Sequence, residues 1–295
     1  MKKTMNSELN IDLQAFVKRV YDSLLYNSTF YNFLNENYIG EIRQTGAPII
    51  EVIKTTPVSV NVRQTAEIQS ALAPALSTYS SVKVDLTELP MDYSIRVPVS
   101  VVGSDITNAI QDVVDLKDSA IAKQIDTYGY AKLKAGVTQV KQWAPVDSAG
   151  YISLLNTLRA TLFNKDVYGD YRLGLEALEY ANYVSALTSV LKYETLQGVE
   201  GVDRGVIARA YGIDAFEINS NYINPVVEGH SETVKGYFFN STAVAGDTFF
   251  NSFVQYNGNY PGFPGYFVIE GNMMFGASII DGNRIIKLQS ESVSG

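Results

Sequence analysis

One histidine, His230, stands in the polar stretch EGHSET, and the chain has no cysteine. A Ser-His-Asp or Cys-His nucleophile would have to run through that residue, and no GxSxG elbow accompanies it. His230 therefore reads as a surface-loop histidine. Zinc held by nitrogen and sulfur is excluded by the same shortage, and no glycine-rich phosphate cradle follows a strand. Carboxylates are the remaining chemistry. Glu176 and Glu179 sit three apart where a helix starts, and Asp203 and Asp214 flank a Gly-rich segment. An acid/base pair needs a set separation and a cleft, whereas acidic residues in a first helical turn answer the helix dipole. These four read as caps and solvated faces. Asn27 and Asn240 each open an Asn-Ser-Thr sequon, and without a secretion signal both read as chance matches. The residue types thus nominate no catalytic residue, no cofactor and no metal, with a carboxylate pair left open to inspection.

Bulk properties narrow the class. The chain has 295 residues, 46% of them hydrophobic, enough for one elaborated domain or two. No apolar run reaches the ~20 residues of a membrane span, and the opening MKKTMNSELNIDLQ has lysines without an apolar stretch behind them. A cytoplasmic protein is expected. Lys and Arg number 23 against 31 Asp and Glu, a net charge of −8, so contact with nucleic acid must be local or weak. The 20 tyrosines and 13 phenylalanines fit either surfaces buried against other chains or a Tyr-rich core.

The organising element is the stretch from Val101 to Gly136. Ile106, Ile110, Val113, Val114, Ile121, Ile125 and Tyr128 recur at three- and four-residue steps, with Lys117 as the polar break. Ser104 is placed to cap it, Asp105 to meet the dipole, and Lys132, Lys134 and Gly136 to close it. Such a helix spans roughly 45 Å and needs a sheet to lie on. Before it, residues 6 to 39 are predicted helical in part, with Ile11, Phe16, Val20, Leu24 and Leu25 near one face; they read as an arm that packs on something else, such as a neighbouring subunit. From Pro48 the period becomes two: Ile50, Val52, Val58, Val60 and Val62 lead out, and Val82, Val84, Leu86, Ile95, Val97 and Val99 lead back. With the soft segment 63 to 81 between them, this is a protruding hairpin that dangles or lies across another molecule.

After the long helix, KQWAPVDSAG reads as a linker holding the only Trp. A mixed α/β region follows: a helix near 151 to 163, a strand at Tyr171 to Leu175, a helix through EALEYANYVSALTSVLKY, and a Gly-rich segment. From Gly236 aromatic strands alternate with turns. Asn257-Gly258 and Asp281-Gly282 signal two of the turns, the second flanked by Ile279, Ile280, Ile285 and Ile286. These strands are predicted to lie against the long helix.

Four stretches together resemble the major capsid proteins of tailed bacteriophages, a fold shared with encapsulin shells and the herpesvirus capsid floor. They are VSVVGSDITNAIQDVVDLKDSAIAKQID, YRLGLEALEYANYVSAL, RGVIARAYGIDAFEINSN and MMFGASIIDGNRIIKLQ. The third is similar to the family's glycine, apolar pair, glycine, strand and Ser/Asn run, at Gly205, Val206, Ile207, Gly212, Ile213 and Ser220. The fourth is similar to its final aromatic-Gly strand, at Phe275 and Gly276. With the hairpin, the likeness runs from Ile49 to Leu288.

The resemblance implies an α+β fold in which 1–47 form an N-terminal arm and 48–98 an extended loop, a β-hairpin overlapping a neighbour. It implies a peripheral domain of 99–147 and 236–288 with the long helix as spine, an axial domain of 148–235, and a tail of 289–295. The function implied is self-assembly into pentamers and hexamers of an icosahedral shell around packaged double-stranded DNA, in a virion built in the host cytoplasm. A portal and weak, non-specific contact with DNA come with it, and no membrane. Two departures shape the expectation. About 45 residues before the hairpin are short for the scaffolding extension some members carry, so a separate scaffolding protein is expected. The loop tip has no lysine, only Lys54 and Lys83 at its base, so no isopeptide weld is expected. An encapsulin shell is the nearest alternative reading, a carboxylate-dependent hydrolase a more distant one, and a Tyr-rich extracellular binding module is disfavoured.

Overall fold

A computed structural model describes residues 13–39, 48–55, 79–98, 102–190, 206–210, 212–224 and 233–290. The hairpin tip, His230, Asp203 and Gly205 lie outside the described residues. In chain order the helices are α1 (Leu13–Asn27), α2 (Val102–Gly136), α3 (Ser148–Phe163), α4 (Ala177–Val190) and the single turn α5 (Ser220–Ile223). The strands are β1 (Ile49–Thr55), β2 (Tyr79–Asp85), β3 (Leu89–Pro98), β4 (Val140–Gln142), β5 (Tyr171–Glu176), β6 (Val206–Ala210), β7 (Ile213–Ile218), β8 (Val234–Asn240), β9 (Val244–Tyr260), β10 (Phe263–Ile279) and β11 (Ile285–Gln289).

The long helix α2 is present with 35 residues. It begins at Val102, which puts Ser104 and Asp105 inside the first turn, past the N-cap position. Gly136 is the last helical residue. It is absent from the left-handed glycines, and a Cβ there would lie 2.6 Å from Ile279 Cδ1, so close approach of β10 explains it. The buried stripe runs through Val114, Ile121, Ala122, Ile125 and Tyr130, and its polar members are Asp118 and Asp126, 0% and 2% exposed. Lys117 is only half-buried. Asp118 and Asp126 keep the three- and four-residue step with Val114, Ile121 and Ala122, while Lys117 lies to one side of it.

One large core joins this stripe to β3, β10 and the residues before the hairpin. Phe16, Val20, Leu24, Phe30 and Phe33 are buried among Tyr93, Ile95, Val97, Ile125, Tyr130, Phe275 and Phe239. Residues 13–39, expected to pack on another molecule, therefore pack within their own chain. Phe33 shows why: its ring stacks on Phe239 with centroids 4.1 Å apart and meets Phe216 edge-on at 5.4 Å. Those partners lie about 200 residues away in sequence, beyond the reach of a local pattern.

A three-stranded sheet in the order β3-β10-β9 lies against α1 and α2; of the closing strands predicted there it holds β9 and β10, while β8 and β11 join the second sheet. The run through Ile95 and Val97 belongs to it, Ile95 opposite Ile269, and so leaves the hairpin. Asn257 and Gly258 are inside β9; the turn is Pro261-Gly262, with Gly262 at φ 83° behind a proline, as a type II turn requires. Gly258 sits instead beside the irregular register between Pro264 and Phe267. The Asp281-Gly282 turn exists, capped by Asp281 on the Asn283 N–H at 3.0 Å. It passes the chain from one sheet to the other and makes no hairpin, because β11 pairs with β8 and β4.

The second sheet has six strands in the order β4-β11-β8-β5-β7-β6. It draws β5, β6 and β7 from the α/β region and β4, β8 and β11 from outside it. The stretch read as a linker supplies β4, and Trp143 is 3% exposed in a second core with Tyr151, Leu158, Tyr171, Tyr183 and Phe238. Its backbone N–H donates to the Gln289 carbonyl at 2.8 Å. The cores take up part of the tyrosines, Tyr21, Tyr93, Tyr130, Tyr183 and Tyr237 among them, while Tyr26 and Tyr168 are exposed.

Candidate assembly surfaces

The hairpin stem starts from a period of two. β1 and β2 pair antiparallel, Ile50 opposite Val84 and Val52 opposite Val82, and no other strand among the described residues joins them. Ile50, Val52, Val84 and Leu86 turn inward onto Ala245 and Ile280, a small core separate from the two larger ones. The opposite face carries Ile49 and Ile53, 51% and 57% exposed, with Glu51 opposite Lys83 between them. Ser81 Oγ donates to Glu51 Oε1 at 2.6 Å. The ribbon thus buries one face on its own body and offers an apolar pair on the other, with Glu51 and Lys83 as cross-strand neighbours between. A second exposed apolar site is the edge-on pair of Phe163, the last residue of α3, and Tyr168, centroids 5.0 Å apart.

The predicted chemistry residues do not converge. Glu176 and Glu179 come together, but on a cation: Lys235 Nζ lies 3.3 Å from Glu176 Oε2 and 3.0 Å from Glu179 Oε1. Glu179 also accepts from Trp143 Nε1 at 3.2 Å. Burial works against the Lys235 charge, but hydrogen bonds and charge from the two glutamates outweigh it and raise its pKa above the ordinary lysine value. The pair is a tie between α4, β5 and β8. Asp214 stands opposite Arg172 in the β5–β7 ladder. Asn240 is 2% exposed; its Nδ2 donates to the carbonyls of Tyr168 and Asp170 at 3.1 and 3.3 Å, and its Oδ1 accepts from the Thr242 N–H at 3.1 Å. That amide is a turn-former shielded from a glycosyl donor. Asn27, exposed at the end of α1, donates to Ser23 Oγ at 3.0 Å. Lys83 is exposed on the stem, and the side chain of Lys54 lies outside the described residues.

Two carboxylates on the spine were missed by sequence reasoning. Asp126 accepts from Ser28 Oγ at 2.5 Å, the Phe30 N–H at 2.9 Å, and the Thr29 N–H and hydroxyl at 3.2 and 3.1 Å. It caps the short 3-10 helix Thr29–Phe33 from across the fold. Burial pushes its pKa up, against the pull of those four donors. Asp118 accepts from Tyr93 Oη at 3.0 Å, and burial lifts its pKa from 3.8 to about 6, tempered by hydrogen bonding from Ser23 and Tyr93. Their position on the buried stripe was the available signal. Among the described residues no group of three His, Cys, Asp or Glu side chains could hold a metal. No helix among them is long and apolar enough to cross a membrane.

Comparison by sequence returns nothing: no family model matches the chain, and no curated protein does. Comparison by structure does. The capsid structure of the cyanophage P-SCSP1u matches with a TM-score of 0.56 at 12% identity, over 83% of this chain and 84% of that one. The head structure of Helicobacter pylori bacteriophage KHP40 matches at 0.55 and 10% identity, over 90% and 91%. The mature capsid of bacteriophage PhiM1 matches at 0.53 and 9% identity, over 91% and 88%. With a spine helix on a long-stranded sheet, a mixed six-stranded lobe and a projecting two-stranded ribbon, the chain has the fold of these tailed-phage capsid chains.

Proposed function

We propose that this chain is a major capsid protein, a structural shell subunit and not an enzyme. It assembles into pentamers and hexamers that close an icosahedral shell around double-stranded DNA. The observation that carries this reading is the ribbon. A two-stranded excursion with one face buried at home and Ile49 and Ile53 exposed on the other is poorly accounted for in a monomer and well accounted for by a second copy. Likeness to capsid chains along more than four fifths of both chains supports it.

In the proposed layout the hairpin from residue 48 overlaps a neighbour, the spine and three-stranded sheet form the peripheral part, and 148–235 form the axial part at the five- or six-fold axis. Residues 89–98 go with the sheet. Head-to-tail contacts between identical chains close into rings when the rotation permits, and the ribbon then supplies the lateral contact that tiles rings into a shell. A separate scaffolding protein and a portal are its proposed partners, and the virion its location after assembly in the host cytoplasm. A net charge of −8 suits a container that must fill and empty, since it limits phosphate contacts to weak ones.

The test is the content of particles made when the chain is expressed with its neighbouring genes. Nuclease-protected double-stranded DNA inside closed shells is the expected result. Shells that hold a cargo enzyme and no genome would favour an encapsulin.

A further inference from the structure

The joint between hairpin and body is narrow. Among the described residues β1 and β2 pair only with each other, and they share a small core with Ala245 and Ile280. The base is shut by the Leu86 N–H donating to the Pro48 carbonyl at 2.8 Å. The chain then reverses through the 3-10 turn Leu86–Glu88, capped by Asp85 on the Thr87 N–H at 2.8 Å, and enters β3. Gly276 of β10 presses under this turn, where a Cβ would lie 1.9 Å from the Asp85 carbonyl oxygen. That contact fixes where the ribbon leaves the body. The small core also holds the inner face of the ribbon to Ala245 and Ile280, and neither contact ties the turn to the spine helix.

A further contact lies to one side of the turn. Tyr128 and Lys132, one turn apart on the spine, both donate to Glu88 Oε2. Lys132 Nζ also stands 5.4 Å from the centroid of the Tyr128 ring, and the Tyr128 ring packs edge-on against Phe275 of β10, centroids 6.0 Å apart. Burial and the Glu88 charge raise the Tyr128 pKa, so its hydroxyl stays a donor. The charge of Lys132 reaches Asp85 as well, whose pKa is lowered first by the Thr87 N–H and hydroxyl and then by that lysine. The pair Lys132–Glu88 is one-third exposed on each side, 37% and 33%, and an ion pair so placed contributes little to stability. Its effect is geometric.

We propose that Tyr128 and Lys132, by holding Glu88, set the angle at which the hairpin leaves the body, and so act as positioning residues for the overlap between copies of this chain. The first half stands on the fold alone; the second rests on the capsid reading.

The test separates the two. The chain has no native cysteine, so spin labels at Lys83→Cys on the stem and Gln124→Cys on the exposed side of the spine report one distance. The parental chain should give one narrow distribution, and Glu88→Ala and Lys132→Met should each shift it or broaden it about two-fold, as a released hinge does. The same substitutions without labels should lower the yield of closed shells about five-fold or more, since rings and shells close only at the right rotation, while the melting midpoint of the subunit stays put. Glu88→Gln, which keeps the tyrosine contact, should fall between. An unchanged distance distribution in Glu88→Ala overturns the proposal. So does a loss of shells that is accompanied by a matching loss of subunit stability. A parental chain that forms no shell refutes the capsid reading, and the distance measurement still decides the hinge.

Discussion

Asp126→Ala removes the acceptor that holds four donors of residues 28 to 30. Ser28 Oγ and the Phe30 N–H are buried where they meet Asp126, and the two Thr29 donors are part-buried. Each buried donor left unpaired costs about 1–3 kcal/mol, and Thr29 can turn to water for about 0.5 kcal/mol. Against this stands the burial of the carboxylate itself, which raises its pKa and is relieved by the substitution. The net loss is about 3 kcal/mol. For 295 residues, with an unfolding entropy of about 2 cal/mol/K per residue, that lowers the melting midpoint by about 5 °C. Asp126→Asn keeps one acceptor oxygen and should lose about half as much. Near-ultraviolet circular dichroism of the purified subunit reads the midpoint, and hydrogen exchange reads the segment. Faster exchange should be confined first to residues 13–33. A variant that melts within ~1 °C of the parent, with the Phe30 amide still protected, would refute the clasp and the placement of this segment in the chain's own core.

Asp118 makes stability depend on pH. Its pKa is 3.8 ordinarily and about 6 when folded, so between those values the folded chain holds a proton that the unfolded chain has lost. Stability should fall as pH rises from about 4 to about 6, and the penalty is complete above that. The ceiling is about 3 kcal/mol, and about 1–2 kcal/mol is expected once screening by water is allowed for. Asp118→Asn should raise the melting midpoint at pH 8, leave it alone at pH 4, and flatten the profile between; an identical profile would contradict this. Phe33→Ala removes a ring stacked on Phe239 and edge-on to Phe216, Tyr130 and Tyr237, and should cost about 3–5 kcal/mol by urea titration. Glu179→Ala deprives the single tryptophan of its Nε1 acceptor. Emission from Trp143 should change with a stability loss of about 1–2 kcal/mol, and an unchanged spectrum would deny the contact.

What was legible in the sequence was whatever repeats locally. The spine announced itself because Val113 to Tyr128 keep a helical step, and the stem because Ile50, Val52, Val82 and Val84 alternate. Of the closing strands, β9 and β10 were placed correctly in the sheet against the spine, while β8 and β11 went to the six-stranded sheet, a choice that no local pattern announces. Partner choice at long range was not legible. Nothing near Phe30 and Phe33 points to Phe239 or Phe275, so a core segment read as an arm. Nothing near Trp143 points to Gln289, so a strand read as a linker. Asn257-Gly258 carried a stronger turn signal than Pro261-Gly262, but the long pairing of β9 with β10 absorbed it as a bulge. Glu176 and Glu179 read as surface carboxylates because Lys235 lies more than fifty residues on. The outward face of the ribbon was legible in kind, since alternation guarantees two faces, but which residues faced out needed the register.

The central claim is that this chain builds closed shells through its own copies. Electron microscopy of the purified protein, alone and expressed with its neighbouring genes, tests it most directly. Angular closed shells, or flat rings of five and six, are the expected result. A monodisperse monomer under every condition would contradict it.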